Sequence, residues 1–123
     1  MTYCLRMDSA LPDEQCDLLK VLAHTYLQQN LAEKAVVLLQ AVYSVYPSDV
    51  LVRTLLAYAY IRCGRPYEAM LLLDWQSADS RFAPEIHLLR SQAYSQMGRM
   101  ADAATAMQHF INARTAAARK EEV

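Results

Sequence analysis

His24, His87 and His109 are the three histidines of this chain. Imidazole is the commonest metal ligand and the side chain best suited to carry protons near neutral pH. The three stand far apart and form no HExxH or comparable pair, so they predict no metal centre. Cys63 directly follows Arg62 and stands two residues before Arg65. Flanking cations lower a thiol pKa and make a nucleophile. The competing reading, adopted here, is a small structural residue ahead of Gly64. Asp13, Glu14 and Asp17 read more simply as the acidic first turn of a helix than as a cation site. Cys4, Cys16 and Cys63 are odd in number and lack CxxC spacing, which argues against a disulfide framework or a zinc site and fits a reducing cytoplasm. No GxSxG, phosphate loop or GxGxxG occurs. These residues predict neither an enzyme nor a bound cofactor, and what remains for them is recognition.

Bulk properties narrow what is recognised. The 123 residues carry a net charge of -1, with 20% charged and 54% apolar side chains. That balance describes a folded domain with no basic excess for nucleic acid or anionic lipid. The apolar run 35–45 is broken by Gln40 and Ser44 and is too short to cross a bilayer. The start, MTYCLRMDSALPDEQ, lacks the basic-then-apolar order of a signal peptide. A cytoplasmic protein is expected. Only two glycines and four prolines interrupt the chain, which favours helices.

The elements show themselves as a repeat. HTYLQQNLAEKA begins at His24, YAYIRCGRPYEA at Tyr58 and QAYSQMGRMADA at Gln92. Tyr26, Tyr60 and Tyr94 step by 34 residues, as do Asn30, Gly64 and Gly98, and Ala35, Ala69 and Ala103. With Tyr as position 11, the repeats run 16–49, 50–83 and 84–117. Position 8 is small (Ala23, Ala57, Ser91), position 20 is alanine, and position 24 is Leu39, Leu73 or Met107. Antiparallel helices approach closely only where facing side chains are small, so positions 8 and 20 predict the crossing of each helix pair. Asn or Gly at position 15 suits the left-handed residue that closes the first helix. Pro66 suits a first helical turn and Pro84 opens another, where the missing N–H is not needed; Pro47 ends the first repeat. Position 7 departs from the frame, with Arg90 after Leu22 and Leu56; so does position 27, with Gln76 between Val42 and Phe110.

The frame predicts helices over 12–29, 31–46, 48–63, 66–76, 84–97 and 100–119. It resembles the tetratricopeptide repeat, a helix-turn-helix unit of this period. The expected fold is all-α: three tandem hairpins in a short right-handed superhelix. A single domain over 11–119 would lie between a flexible segment 1–10 and a charged tail 120–123. SADSRFA at 77–83 reads as a longer connection, with Trp75 covering the gap before it.

The resemblance also implies a binding face. Positions 2, 5, 9, 12 and 13 of each first helix line the inner curve of such arrays. Here these are Asp17, Lys20, His24, Leu27 and Gln28, then Leu51, Thr54, Tyr58, Ile61 and Arg62, then Glu85, Leu88, Gln92, Ser95 and Gln96. Leu51, Tyr58 and Ile61, flanked by Leu27 and Leu88, would form an apolar strip, and a monomer seldom leaves such a strip uncovered. Burial of Leu27 or Ile61 against a neighbouring helix is the competing reading. Lys20, His24 and Arg62 would set orientation at the rim. Some members of the family hold the acidic C-terminus of heat-shock proteins through paired Lys and Asn. Lys20 is in place for that, but His24 stands where Asn is wanted, and Thr54 and Tyr58 follow. An apolar helix or extended peptide is therefore the expected ligand.

The three frames, the closure LLQAVYSVYPSD and the terminal AMQHFINAR together are similar to the small tetratricopeptide-type chaperones of bacterial type III secretion, most nearly the Y-type. That resemblance implies a partner: a small secreted protein bound as a helix or extended segment in a heterodimer, with contact to the export gate as a further role. Needle-subunit and translocator chaperones, and a general adaptor for protein assembly, remain alternatives. No nucleic acid and no membrane insertion are implied.

Overall fold

The computed structural model describes residues 13–73 and 83–122, which form α1 (Asp13–Gln28), α2 (Ala32–Val45), α3 (Val50–Arg62), α4 (Pro66–Leu73), α5 (Ala83–Gln96) and α6 (Met100–Glu122). No strand occurs among the described residues. Each helix overlaps its expected range. α6 runs to Glu122, past the domain edge expected at 119. The expected flexible segment 1–10, Trp75 and most of the SADSRFA connection lie outside the described residues.

The repeated Tyr-to-Gly spacing has a backbone cause. Asn30, Gly64 and Gly98 have φ of 62°, 76° and 79°. At each of them the chain reverses, and two amides reach back to carbonyls that the helix end leaves unsatisfied. Leu31 N–H donates to Tyr26 C=O at 2.8 Å and Asn30 N–H to Leu27 C=O at 3.2 Å. Arg65 bonds to Tyr60 and Arg99 to Tyr94 at 2.8 and 2.9 Å, with Gly64 and Gly98 bonding to Ile61 and Ser95. This is the Schellman closure, made three times. It explains why tyrosine precedes the left-handed residue by four: the ring sits where the motif expects a contact with the residue after the turn. In the second and third repeats that contact is a cation over the ring, Arg65 on Tyr60 at 4.9 Å and Arg99 on Tyr94 at 5.0 Å. Each arginine also pairs with a carboxylate three residues on, Glu68 or Asp102.

The small-residue columns do what their size permits. Ala23, Ala35, Ala57 and Ala69 are fully buried, and Ser91 and Ala103 nearly so. In the third repeat a hydrogen bond marks the crossing: Ser91 Oγ donates to the Ala103 carbonyl at 3.0 Å. A hydroxyl reaches a helix backbone on its neighbour only where the two axes run close together. Leu39, Leu56 and Leu73 fill the spaces beside the crossings and are completely enclosed. Truncating any of them to alanine would cost about 2–5 kcal/mol.

α3 is started by Asp49, whose Oδ1 accepts from the amides of Leu51 and Val52 at 3.0 and 3.3 Å. Its other oxygen accepts from Lys20 Nζ of α1 at 2.7 Å. Arg90, the residue that breaks the frame at position 7, donates from Nη2 to the carbonyl of Leu73 at 2.7 Å. It thus ties the last described residue of α4 to α5, a task that leucine could not perform.

Each helix packs on the next in sequence. In addition α1 packs on α3, and α3 on α5, while α2, α4 and α6 have no comparable contact with one another. The first helices of the hairpins are therefore closer together than the second ones. The stack curves with α1, α3 and α5 on its inner side, as expected of a solenoid of hairpins.

Candidate functional site: the inner groove

Because the inner helices touch, part of each inner face is consumed by the stack. Leu27 is 3% and Ile61 4% exposed, and both belong to the core. Position 12 faces the next inner helix, so the competing reading of these two residues, burial, is the one the packing follows. Thr54 is 8% exposed, and its hydroxyl bonds the Val50 carbonyl of its own helix at 2.7 Å. Lys20 is held by Asp49, with Asp17 at 3.7 Å, so its charge serves the junction of α1 with α3 rather than an open rim. Of the residues expected on this face, Asp17, His24, Gln28, Arg62, Glu85, Gln92, Ser95 and Gln96 are exposed, and Leu51, Tyr58 and Leu88 partly so.

What lies open is a groove of about 690 Å³ between α3 and α5, lined by Tyr58, Ile61, Arg62, Ser91, Gln92, Ser95, Gln96 and Met107. Its character is mixed rather than apolar. The Tyr58 ring, the edge of Ile61 and Met107 offer apolar surface, while Gln92, Ser95 and Gln96 offer hydrogen bonds. Gln96 spans the repeats, donating from Nε2 to the Ile61 carbonyl at 2.9 Å. A second hollow of about 350 Å³ continues toward α1, lined by His24, Leu27, Gln28, Asn30, Tyr58 and Arg62. Three of these lining residues were not on the expected face: Ser91 reads in sequence as the small residue of a crossing, Met107 as core filling of α6, and Asn30 as a turn residue only.

Tyr58 and Arg62 connect the two hollows. Arg62 Nη1 donates to the Tyr58 hydroxyl at 2.8 Å, and its carbon Cζ lies 5.7 Å from the Tyr58 ring centroid. Its Nη2 donates to Asn30 Oδ1. The left-handed asparagine of the first repeat thus has a second task that Gly64 and Gly98 lack.

Among the described residues, titration behaviour adds no reactive group. Burial pushes the Cys63 thiol up, helped by Glu33 and only partly opposed by Arg65. The shift is opposite to the one that the flanking arginines could suggest. Burial lowers His87, and Arg90 and His109 lower it further. Among the described residues no group of three or more His, Cys, Asp or Glu side chains could hold a metal ion. None of the described helices is long and apolar enough to cross a membrane.

The profile described as Tetratricopeptide repeat matches residues 26–92, more than half of the chain. The chain belongs to the tetratricopeptide-repeat family. A comparison with curated proteins finds no match. As a tetratricopeptide-repeat protein it carries a scaffold of protein interaction. The matched residues span the Schellman closures at Asn30 and Gly64, both crossings built on Ala35 and Ala69, and much of the groove.

Proposed function

We propose that this protein is a chaperone of the type III secretion kind, which holds a segment of a small secreted protein in the groove between α3 and α5. The observation that carries the reading is the groove itself, a hollow of about 690 Å³ on the inner side of the three repeats, lined by apolar side chains and by amides. The likeness of the three frames, the closure LLQAVYSVYPSD and the helix AMQHFINAR to the Y-type chaperones supports the choice of secreted partner. Contact with the export gate and a bacterial cytoplasmic setting belong to the same proposal.

The mixed lining bears on the form of the ligand. A segment ordered on binding loses roughly 2–5 kcal/mol. Each apolar side chain buried against Tyr58, Ile61 and Met107 returns about 1.5–3 kcal/mol. Two or three such side chains offset the ordering cost, and the amides of Gln92 and Gln96 meet the polar groups between them. Release needs no nucleotide, because a competing surface can take the segment over.

Co-purification from the native host tests this. The expected result is a one-to-one complex with a small secreted protein, lost in the Gln92→Trp variant, whose indole fills the groove from an exposed position. A complex with a folded envelope protein that survives Gln92→Trp would favour the adaptor reading instead.

A further inference from the structure

Arg62 is the residue that all three described hollows share: it lines the main groove, the extension toward α1, and a pocket of about 380 Å³ beside Leu31, Ala32, Glu33, Lys34 and Cys63. Its guanidinium is held in place but not neutralised. Its two hydrogen-bond partners, the Tyr58 hydroxyl and the Asn30 amide oxygen, are uncharged, and the Tyr58 ring beneath it is uncharged too. Among the described residues no carboxylate forms an ion pair with Arg62, although Glu33 lines one of the same pockets. The other arginines at helix closures behave differently, since Arg65 and Arg99 are each paired with an acid three residues on.

A guanidinium carries five N–H donors in a rigid fork. Two are used here, which leaves three to meet an incoming group. Fixing the side chain beforehand removes the entropy loss that weakens most exposed ion pairs. A carboxylate accepts from such a fork through both of its oxygens, which gives direction as well as attraction. We infer that the segment bound in the groove carries an Asp or Glu side chain, seated on Arg62 where the two inner hollows meet, at a fixed spacing from an apolar residue on Tyr58 and Met107. This rests on the groove reading above and names the chemistry of its ligand. It differs from capture of a chain terminus by paired Lys and Asn, for which this chain lacks the residues.

The test is selection from a library of random displayed peptides by four proteins: wild type, Arg62→Gln, Arg62→Lys and the groove-filled Gln92→Trp. Circular dichroism first checks that all four are equally helical. The wild-type pool is expected to show an acidic residue at a constant distance from an apolar one. Arg62→Gln should still retain peptides but lose the acidic preference. Arg62→Lys should keep the preference with weaker binding, because lysine offers a point charge without the fork. Binding of a selected peptide to wild type should weaken as salt is raised, and binding to Arg62→Gln should not. A wild-type pool without the acidic residue, or the same preference in the Arg62→Gln pool, overturns the inference while leaving the groove reading intact. If wild type retains no more than Gln92→Trp does, the groove reading falls and the inference with it.

Discussion

Gly98→Ala isolates the backbone device that repeats three times in this fold. A Cβ built on Gly98 or Gly64 meets no atom within 4 Å, so alanine introduces no clash at either site. What it introduces is conformational. Both glycines have φ near +80°, at 79° and 76°, where an L-residue with a Cβ loses about 1–2 kcal/mol. Replacing glycine also restricts the unfolded chain, which returns about 0.4–1 kcal/mol. The net expectation is a loss of about 1 kcal/mol per site, and a fall in Tm of about 4 °C for a chain of this size. The two sites share no hydrogen-bond partner, so Gly64→Ala with Gly98→Ala should lose the sum. Asparagine supplies the internal control. It tolerates the left-handed region, and Asn30 already occupies it at φ 62°, so Gly98→Asn should cost clearly less than Gly98→Ala. Urea unfolding followed by circular dichroism gives the four values. An unchanged or raised stability in both alanine variants would mean that these residues are not left-handed closures. A loss above about 3 kcal/mol would mean that the space around them is not open, since strain alone reaches about 2 kcal/mol.

Four further outcomes follow from the geometry. Ala69→Leu should overpack the crossing of α3 and α4 and lower stability by about 1–3 kcal/mol, because Ala69 is completely enclosed; an unchanged denaturation midpoint would place Ala69 away from the crossing. For Asp49, burial pushes the carboxyl pKa up, but Lys20 and the amides of Val52 and Leu51 bring it below 3.8 on balance. The unfolded chain therefore takes up its proton first, so stability present above 3.8 is lost as acid brings the pH through the lower folded value, and Asp49→Asn should flatten that part of the pH profile. His87 is lowered from 6.5 by burial, with Arg90 and His109 adding to it, so the native state resists protonation that the unfolded state accepts. Stability should be complete above 6.5 and fall as the pH drops below it, and a His87→Gln variant with an equal slope would refute the assignment. Lys20→Met should lower stability while leaving any groove-bound peptide's affinity unchanged, since the ammonium serves Asp49; a large loss of affinity would return Lys20 to the rim.

The features written as columns were legible before any coordinates. Tyr26, Tyr60 and Tyr94, the left-handed residues that follow each by four, and the buried alanines form a pattern because every hairpin needs the same closure and crossing. Arg65 and Arg99, with Glu68 and Asp102, escaped that reading because the first repeat has Leu31 and Lys34 there, so the column holds in only two copies. The groove was less legible than the fold. Whether position 12 faces a ligand or the next inner helix depends on how closely successive hairpins stack. That distance is set by side chains a whole repeat away, and it buries Leu27 and Ile61. The Lys20–Asp49 pair joins residues from different hairpins and has no local signature. Asn30 reads from sequence as a turn, yet it holds Arg62 as well, because the left-handed residue projects its side chain toward the neighbouring inner helix.

Site-specific photocrosslinking in the native host tests the account's central claim most directly. A benzoylphenylalanine replacing His24, exposed on the hollow that continues the groove toward α1, is compared with one replacing Leu71, which is 69% exposed on an outer helix. The account predicts that position 24 captures a small secreted protein through one contiguous segment, and that position 71 does not. Capture from position 71 with none from position 24 would contradict it.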